Sequence, residues 1–176
     1  MRRISRIVAA VAAGLLALTG CAWSKASVGV QVGDTVISAA SIDAAADAVI
    51  DVLAKNGRTF TRAQANSVAI QDAVLGAVIE NERAAGTLTF PQAAVDSLVG
   101  ADPVLSQLAA NPATAKLAQT EGFLGAMQAD TTLAGQLQAG EAKVKVELNP
   151  RYGLHWVPGQ GVANADGSLS LPAPVR

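Results

Sequence analysis

Two segments with strict two-residue periodicity stand near opposite ends of this chain, and most of what lies between them reads as helix. Near the start, SVGVQVGDTVIS alternates Val28, Val30 and Val32 with Gly29, Gln31 and Gly33, then continues Thr35-Val36-Ile37. Near the end, EAKVKVELN sets Val144, Val146 and Leu148 against Lys143, Lys145 and Glu147. Such alternation places one set of side chains on a single face of a strand. A Gly33-Asp34 turn folds the first segment back on itself, but a lone hairpin is marginal in water. The last strand is therefore expected to pair with the first, bringing the ends together and packing a small sheet on the helices. The fold class that follows is α+β, predominantly helical: about five helices with a small antiparallel sheet formed by strands near the two ends.

Helix boundaries are legible from their caps. Ser38 or Ser41 caps the first helix, whose Ile42, Ala46, Val49 and Leu53 share a face, with Ile50 beside them, until Asn56-Gly57 ends it. Asp43, Asp47 and Asp51 form an acidic stripe on another face, read as solvated surface. Thr61-Arg62-Ala63-Gln64 is a capping box opening a long helix through Val68, Leu75 and Ile79 to Gly86, along which Glu80 and Arg83 are placed to pair. Thr89-Phe90-Pro91-Gln92 repeats the box before a short helix with Val95, Leu98 and Val99. Asp102-Pro103 and Asn111-Pro112 are two cap-plus-proline starts. The second leads into Leu117, Phe123, Leu124 and Met127, with an interruption near Asp130 before Leu133 and Leu137. From Val157 on, Gly, Pro and small polar residues predict an irregular tail.

Only 3% of the residues are aromatic, so Ala, Val, Leu and Ile must supply most of the core, which suits helices packed closely through small residues. The first twenty residues are set apart. MRRISRIVAAVAAGLLALTGC has a basic start, an apolar run from Ile7 to Leu18 and then Leu18-Thr19-Gly20-Cys21. The run is too short to span roughly 30 Å of hydrocarbon and has the form of a secretory signal peptide. The match resembles the bacterial lipobox, which implies cleavage before Cys21 and a lipid on its thiol; two or three acyl chains anchor a protein stably. Trp23 would then lie at the membrane interface. The expected organisation is a signal peptide over 1–20, a lipidated Cys21 with a short tether to residue 27, a domain over 28–156 and the tail over 157–176.

Several chemistries lack their residues. Without the leader arginines the chain has ten basic and fourteen acidic side chains, a balance with no nucleic-acid footprint. The single cysteine allows no intrachain disulfide or thiolate cluster. His155 is the only histidine, which leaves the common zinc sites without ligands, and no nucleophile elbow, P-loop or dinucleotide fingerprint accompanies it. Glu80 and Glu82 diverge on their helix and make no acid–base pair. The reading is non-catalytic, without cofactor or metal.

The stretch VGVQVGDTVISAASID, the amphipathic helix after it and VIENERAAGTLTFPQAAVDSLV resemble the N-terminal chaperone segment of SurA-like export chaperones. Gly33-Asp34 stands where that family has Asn-Gly, and Thr89 to Asp96 takes its helix-start position. The ending VKVELNPRYGLHW is similar to that of lipoproteins with this domain from high-GC Gram-positive bacteria. Nothing between Gly140 and Arg176 is long enough for the parvulin domain that often follows, so isomerase activity is not carried over. The resemblance implies a membrane-anchored extracytoplasmic module that binds unfolded or extended exported polypeptides without nucleotide. Phe123, Met127, Tyr152 and Trp156 are the candidate contacts, with Lys143 and Lys145 placed to steer acidic clients. The alternative is a structural adaptor lipoprotein docking one folded partner through the acidic stripe or a sheet edge near the tail. In either case VKVELNPRYGLHW reads as closing strand and clasp: Pro150 stops the strand, Gly153 permits a bend, and Tyr152 and Trp156 add bulk. Truncating either ring to Ala is expected to cost about 3 kcal/mol if it is buried.

Overall fold

The computed structural model describes residues 27–128 and 130–165. Strand β1 (Val28–Val32) buries Val30 and Val32 completely, while Gln31 between them reaches the surface. The chain turns through Gly33, whose φ of 56° a side-chain-bearing residue seldom adopts, into β2 (Thr35–Ser38). Beyond the helices, β3 (Val146–Leu148) pairs antiparallel with β1, setting Val146 opposite Val32 and Leu148 opposite Val30. The sheet order is β2-β1-β3, so the two ends of the domain meet as the periodicity requires. The closing strand is shorter than its alternation suggests, because the preceding helix runs on to Lys143 and only three residues pair.

Helix α1 (Ala39–Lys55) begins where the Ser38 hydroxyl accepts the Ser41 amide, 3.0 Å away. The sheet lies so close to this first turn that a Cβ on Gly29 would stand 2.9 Å from Ile42 Cγ1 and 3.0 Å from Ala39 Cα. Helix α2 (Arg62–Ala84) carries both arms of the Thr61–Gln64 capping box. The helices after it are α3 (Gln92–Ala101), α4 (Pro103–Ala109), α5 (Ala115–Met127) and α6 (Thr131–Lys143). Helix α2 forms the centre of the domain, packing against α1, β1, α5 and α6. Small residues set the crossings: Gly76 of α2 faces Thr120, and a Cβ on Gly122 of α5 would fall 2.6 Å from Val99 Cγ2 of α3. The described residues thus form a predominantly helical α+β domain.

Several boundaries differ from expectation. The described residues hold six helices against the expected count of about five, because at the interruption expected near Asp130 its carboxylate accepts the amides of Thr132 and Leu133 and starts a separate α6. Asp102 caps α4 in the expected way. Asn111 instead closes a turn through the Ala113 amide, and α5 waits until Ala115. Thr89 makes no cap; Pro91 precedes α3 without a side-chain bond, and the Gln92 side chain is committed elsewhere. Of the tail expected to be irregular from Val157, the described part, up to residue 165, instead completes a hairpin of β4 (Leu154–Val157) and β5 (Gly161–Asn164) resting on α2, and the rest of the tail lies outside the described residues. Its glycines serve the turn, Gly159 at φ 74° and Gly161 at φ 86°, and leave the flanking residues extended.

Candidate functional site

Along α2, Ala69, Ala73, Gly76 and Ala77 recur at helical spacing and leave one side of the helix with almost no side-chain volume. β2 and the first turns of α1 rise on one flank, while Phe90, the start of α3 and α5 form the other. The space between them is an open groove of about 760 Å³. Ile37, Ile42, Ala45, Ala73, Val95 and Phe123 give it an apolar surface. Its polar residues lie mostly at the rim, where Lys116 bonds Glu80 at 2.8 Å. At one end Arg83 stacks on the Phe90 ring, 4.8 Å from its centroid, and donates to Gln92. Gln92 in turn donates to Gln119 at 2.8 Å, tying α2, α3 and α5 together. The expected Glu80–Arg83 pair is therefore replaced by contacts that each residue makes with another element.

Two buried polar residues interrupt the apolar lining, Thr120, whose hydroxyl donates to the Lys116 carbonyl, and Asp72. Asp72 sits on the α2 stripe of Val68, Leu75 and Ile79 and is 3% exposed. No donor among the described residues reaches its Oδ2. Burial, and then the nearby Glu121 carboxylate on α5, push its pKa up to about 9, so it carries a proton at neutral pH. With that proton in place the two carboxyl groups no longer repel each other as like charges. Asp72 lines the large groove and Glu121 a second cavity of about 250 Å³ near Leu53, Phe60 and Leu108, so the pair stands in the wall between them.

Of the four contact residues expected from sequence, Phe123 alone lines the groove. It is 1% exposed and meets Phe90 at a centroid distance of 4.5 Å, making it floor as well as core. Met127 is partly buried against the core one turn beyond. Tyr152 lies in a short 3₁₀ turn (Pro150–Tyr152), where its hydroxyl accepts from Arg151 Nη2 at 2.7 Å and stands 3.3 Å from Asp43 Oδ1. Desolvation raises its pKa above the usual phenol value. Trp156 is half-buried on β4, its buried Nε1 without a partner among the described residues, and His155 beside it is exposed. Cys21 and Trp23 lie outside the described residues.

The acidic stripe of α1 is largely used inside the domain: Asp43 pairs with Arg151 and Asp47 with Arg62. Lys145 pairs with Glu147 at 2.6 Å, and Lys143 reaches Glu82 at 4.0 Å. Because Tyr152 is only half-buried, Tyr152→Ala is expected to cost about 1–2 kcal/mol in urea unfolding, less than a core ring. A loss of 3 kcal/mol or more would show that the clasp carries the sheet. The groove and Asp72 escaped the sequence reading. Their signals were the small residues at i, i+4, i+7 and i+8 on α2 and an acid in register with its apolar stripe.

No protein-family model, curated protein or solved structure matches this chain. Among the described residues no helix is long and apolar enough to cross a membrane.

Proposed function

We propose that this chain is a non-catalytic polypeptide-binding lipoprotein, a SurA-like, nucleotide-independent chaperone module tethered by a lipid on Cys21 at the extracytoplasmic face of the membrane. The observation that carries the reading is the open apolar groove. Its volume of about 760 Å³ lies within the range of about 300–1,000 Å³ usual for ligand sites. Apolar side chains of an unfolded client gain by leaving water for such a surface, and no bound nucleotide is needed for that exchange. The adaptor reading loses part of its support, since Asp43 and Asp47 of the acidic stripe already have basic partners.

The test is aggregation suppression with several unrelated unfolded substrates in the absence of nucleotide. Broad protection is expected, and Ala73→Trp, which fills the groove from its half-exposed floor, should remove it. Lack of protection together with a single stoichiometric folded partner in a pull-down would replace the chaperone with the adaptor. Anchoring is checked separately. Cys21→Ala should release the protein from membranes, and tight association of that variant would count against the lipid.

A further inference from the structure

The three-stranded sheet has two outer edges, and they are built differently. Beside β3, Lys145 and Glu147 form an ion pair, and β4 packs nearby. Charged side chains at an edge discourage further strands from adding. On the other side β2 offers Thr35, Val36, Ile37 and Ser38, with no charge and no proline, and Val36 is 41% exposed. No further strand pairs with β2 among the described residues, and all four of its residues line the groove.

The register shows which backbone groups face that edge. β1 bonds to β3 through its odd-numbered residues: Asn149 donates to the Gly29 carbonyl and Gly33 donates to the Lys145 carbonyl, both at 2.9 Å. Val30 and Val32 therefore direct their peptide groups toward β2, opposite Ile37 and Thr35. Antiparallel ladders alternate inward and outward residues, so the N–H and C=O of Val36 point away from β1, toward the open side. An extended backbone meets both groups at once while sending alternate side chains to one face. Charge narrows the occupant further. Lys116 and Glu80 neutralise each other, whereas Arg83 at the groove's end has no carboxylate partner among the described residues.

We infer that the occupant is an extended polypeptide segment that adds to β2 as a fourth strand, seats alternate apolar side chains in the groove and sets an acidic residue near Arg83. This deepens the polypeptide-binding reading and rests on it. The probe is a short capped peptide alternating Val with Ser and ending in Glu, titrated against the full chain. It should bind and slow exchange of the Val36 amide. N-methylation of its edge-facing amides should weaken binding at least about tenfold, the scale of one or two lost hydrogen bonds. Val36→Pro should do the same while keeping the β1–β2 ladder, since the N–H it removes faces outward. If that variant unfolds, the N-methylated peptide on the unaltered protein decides alone. Replacing the terminal Glu by Lys should weaken binding and reduce its salt sensitivity.

Equal affinity for the parent and N-methylated peptides would overturn strand addition while leaving a side-chain-only groove and the chaperone reading intact. A concentration-dependent dimer with Val36 protected in the absence of peptide would assign the edge to a second copy and overturn the inference too. Failure of every peptide together with absence of aggregation suppression would remove both readings.

Discussion

Asp72→Asn is expected to stabilise the protein at pH 7 by on the order of 3 kcal/mol, with the gain shrinking to near zero at pH 4. The carboxyl titrates from an ordinary value of 3.8 in the unfolded chain to about 9 in the fold. Between those two values the folded state holds one more proton than the unfolded state. Stability from this group is therefore complete below the lower value and is lost as pH rises through the upper one, at about 1.4 kcal/mol per pH unit. Over the span from the lower value to neutrality this amounts to about 4 kcal/mol, part of which the pairing with Glu121 absorbs. Asn keeps the shape, removes the titration and can donate its amide to the Glu121 carboxylate. Urea unfolding of both proteins from pH 4 to 9 isolates the effect, because every other titrating group is common to both. Parallel stability curves across that range would show that Asp72 is ionised in the fold.

The two strand segments were readable because a period of two admits few other structures once both must hide one face. Val30, Val32, Val146 and Leu148 meet in the register that their alternation requires. Ser38, Thr61 and Asp102 were also legible, since a cap is a local contact between a side chain and amides two or three residues away. The failures have one common cause. Thr89 and Asn111 have cap-like chemistry, but competing contacts set the geometry around them: Gln119 takes the Gln92 side chain, and the buried Thr114 hydroxyl donates to the Leu108 carbonyl at 2.7 Å. Likewise Glu80 and Arg83 are neighbours on a helix, yet α5 and Phe90 offer each a contact from outside it.

The groove is the deeper case. Small residues on a helix mean close approach where a partner arrives, as at Gly76 against Thr120, and open space where none does, as at Ala73. Composition is the same in both situations, so only the tertiary arrangement distinguishes packing from a binding surface. Asp72 follows similar logic. An acid in register with Val68, Leu75 and Ile79 announces a conflict between burial and charge, but the strength of its upward pKa shift depends also on Glu121, 49 positions along the chain.

Phe123→Ala should be the most damaging single truncation, lowering the unfolding free energy by about 3–5 kcal/mol. The ring is almost fully buried and packs against Phe90. In a core made mostly of Ala, Val, Leu and Ile, few neighbours are long enough to fill the hole it leaves. Domains of this size are held by about 5–15 kcal/mol in all, so the variant would be marginal, and a falling urea midpoint at constant m-value is the expected signature. Phe123 also floors the groove, so lost client binding by this variant would be ambiguous between unfolding and a missing contact. Phe123→Leu separates the two. It retains most of the apolar volume, should cost about 1–2 kcal/mol, and leaves the open edge of β2 untouched. If client affinity follows the backbone contacts of Val36, the Leu variant should bind nearly as well as the parent protein. A large loss of affinity in a folded Phe123→Leu protein would place the recognition in the aromatic floor, and strand addition would then be a minor contribution.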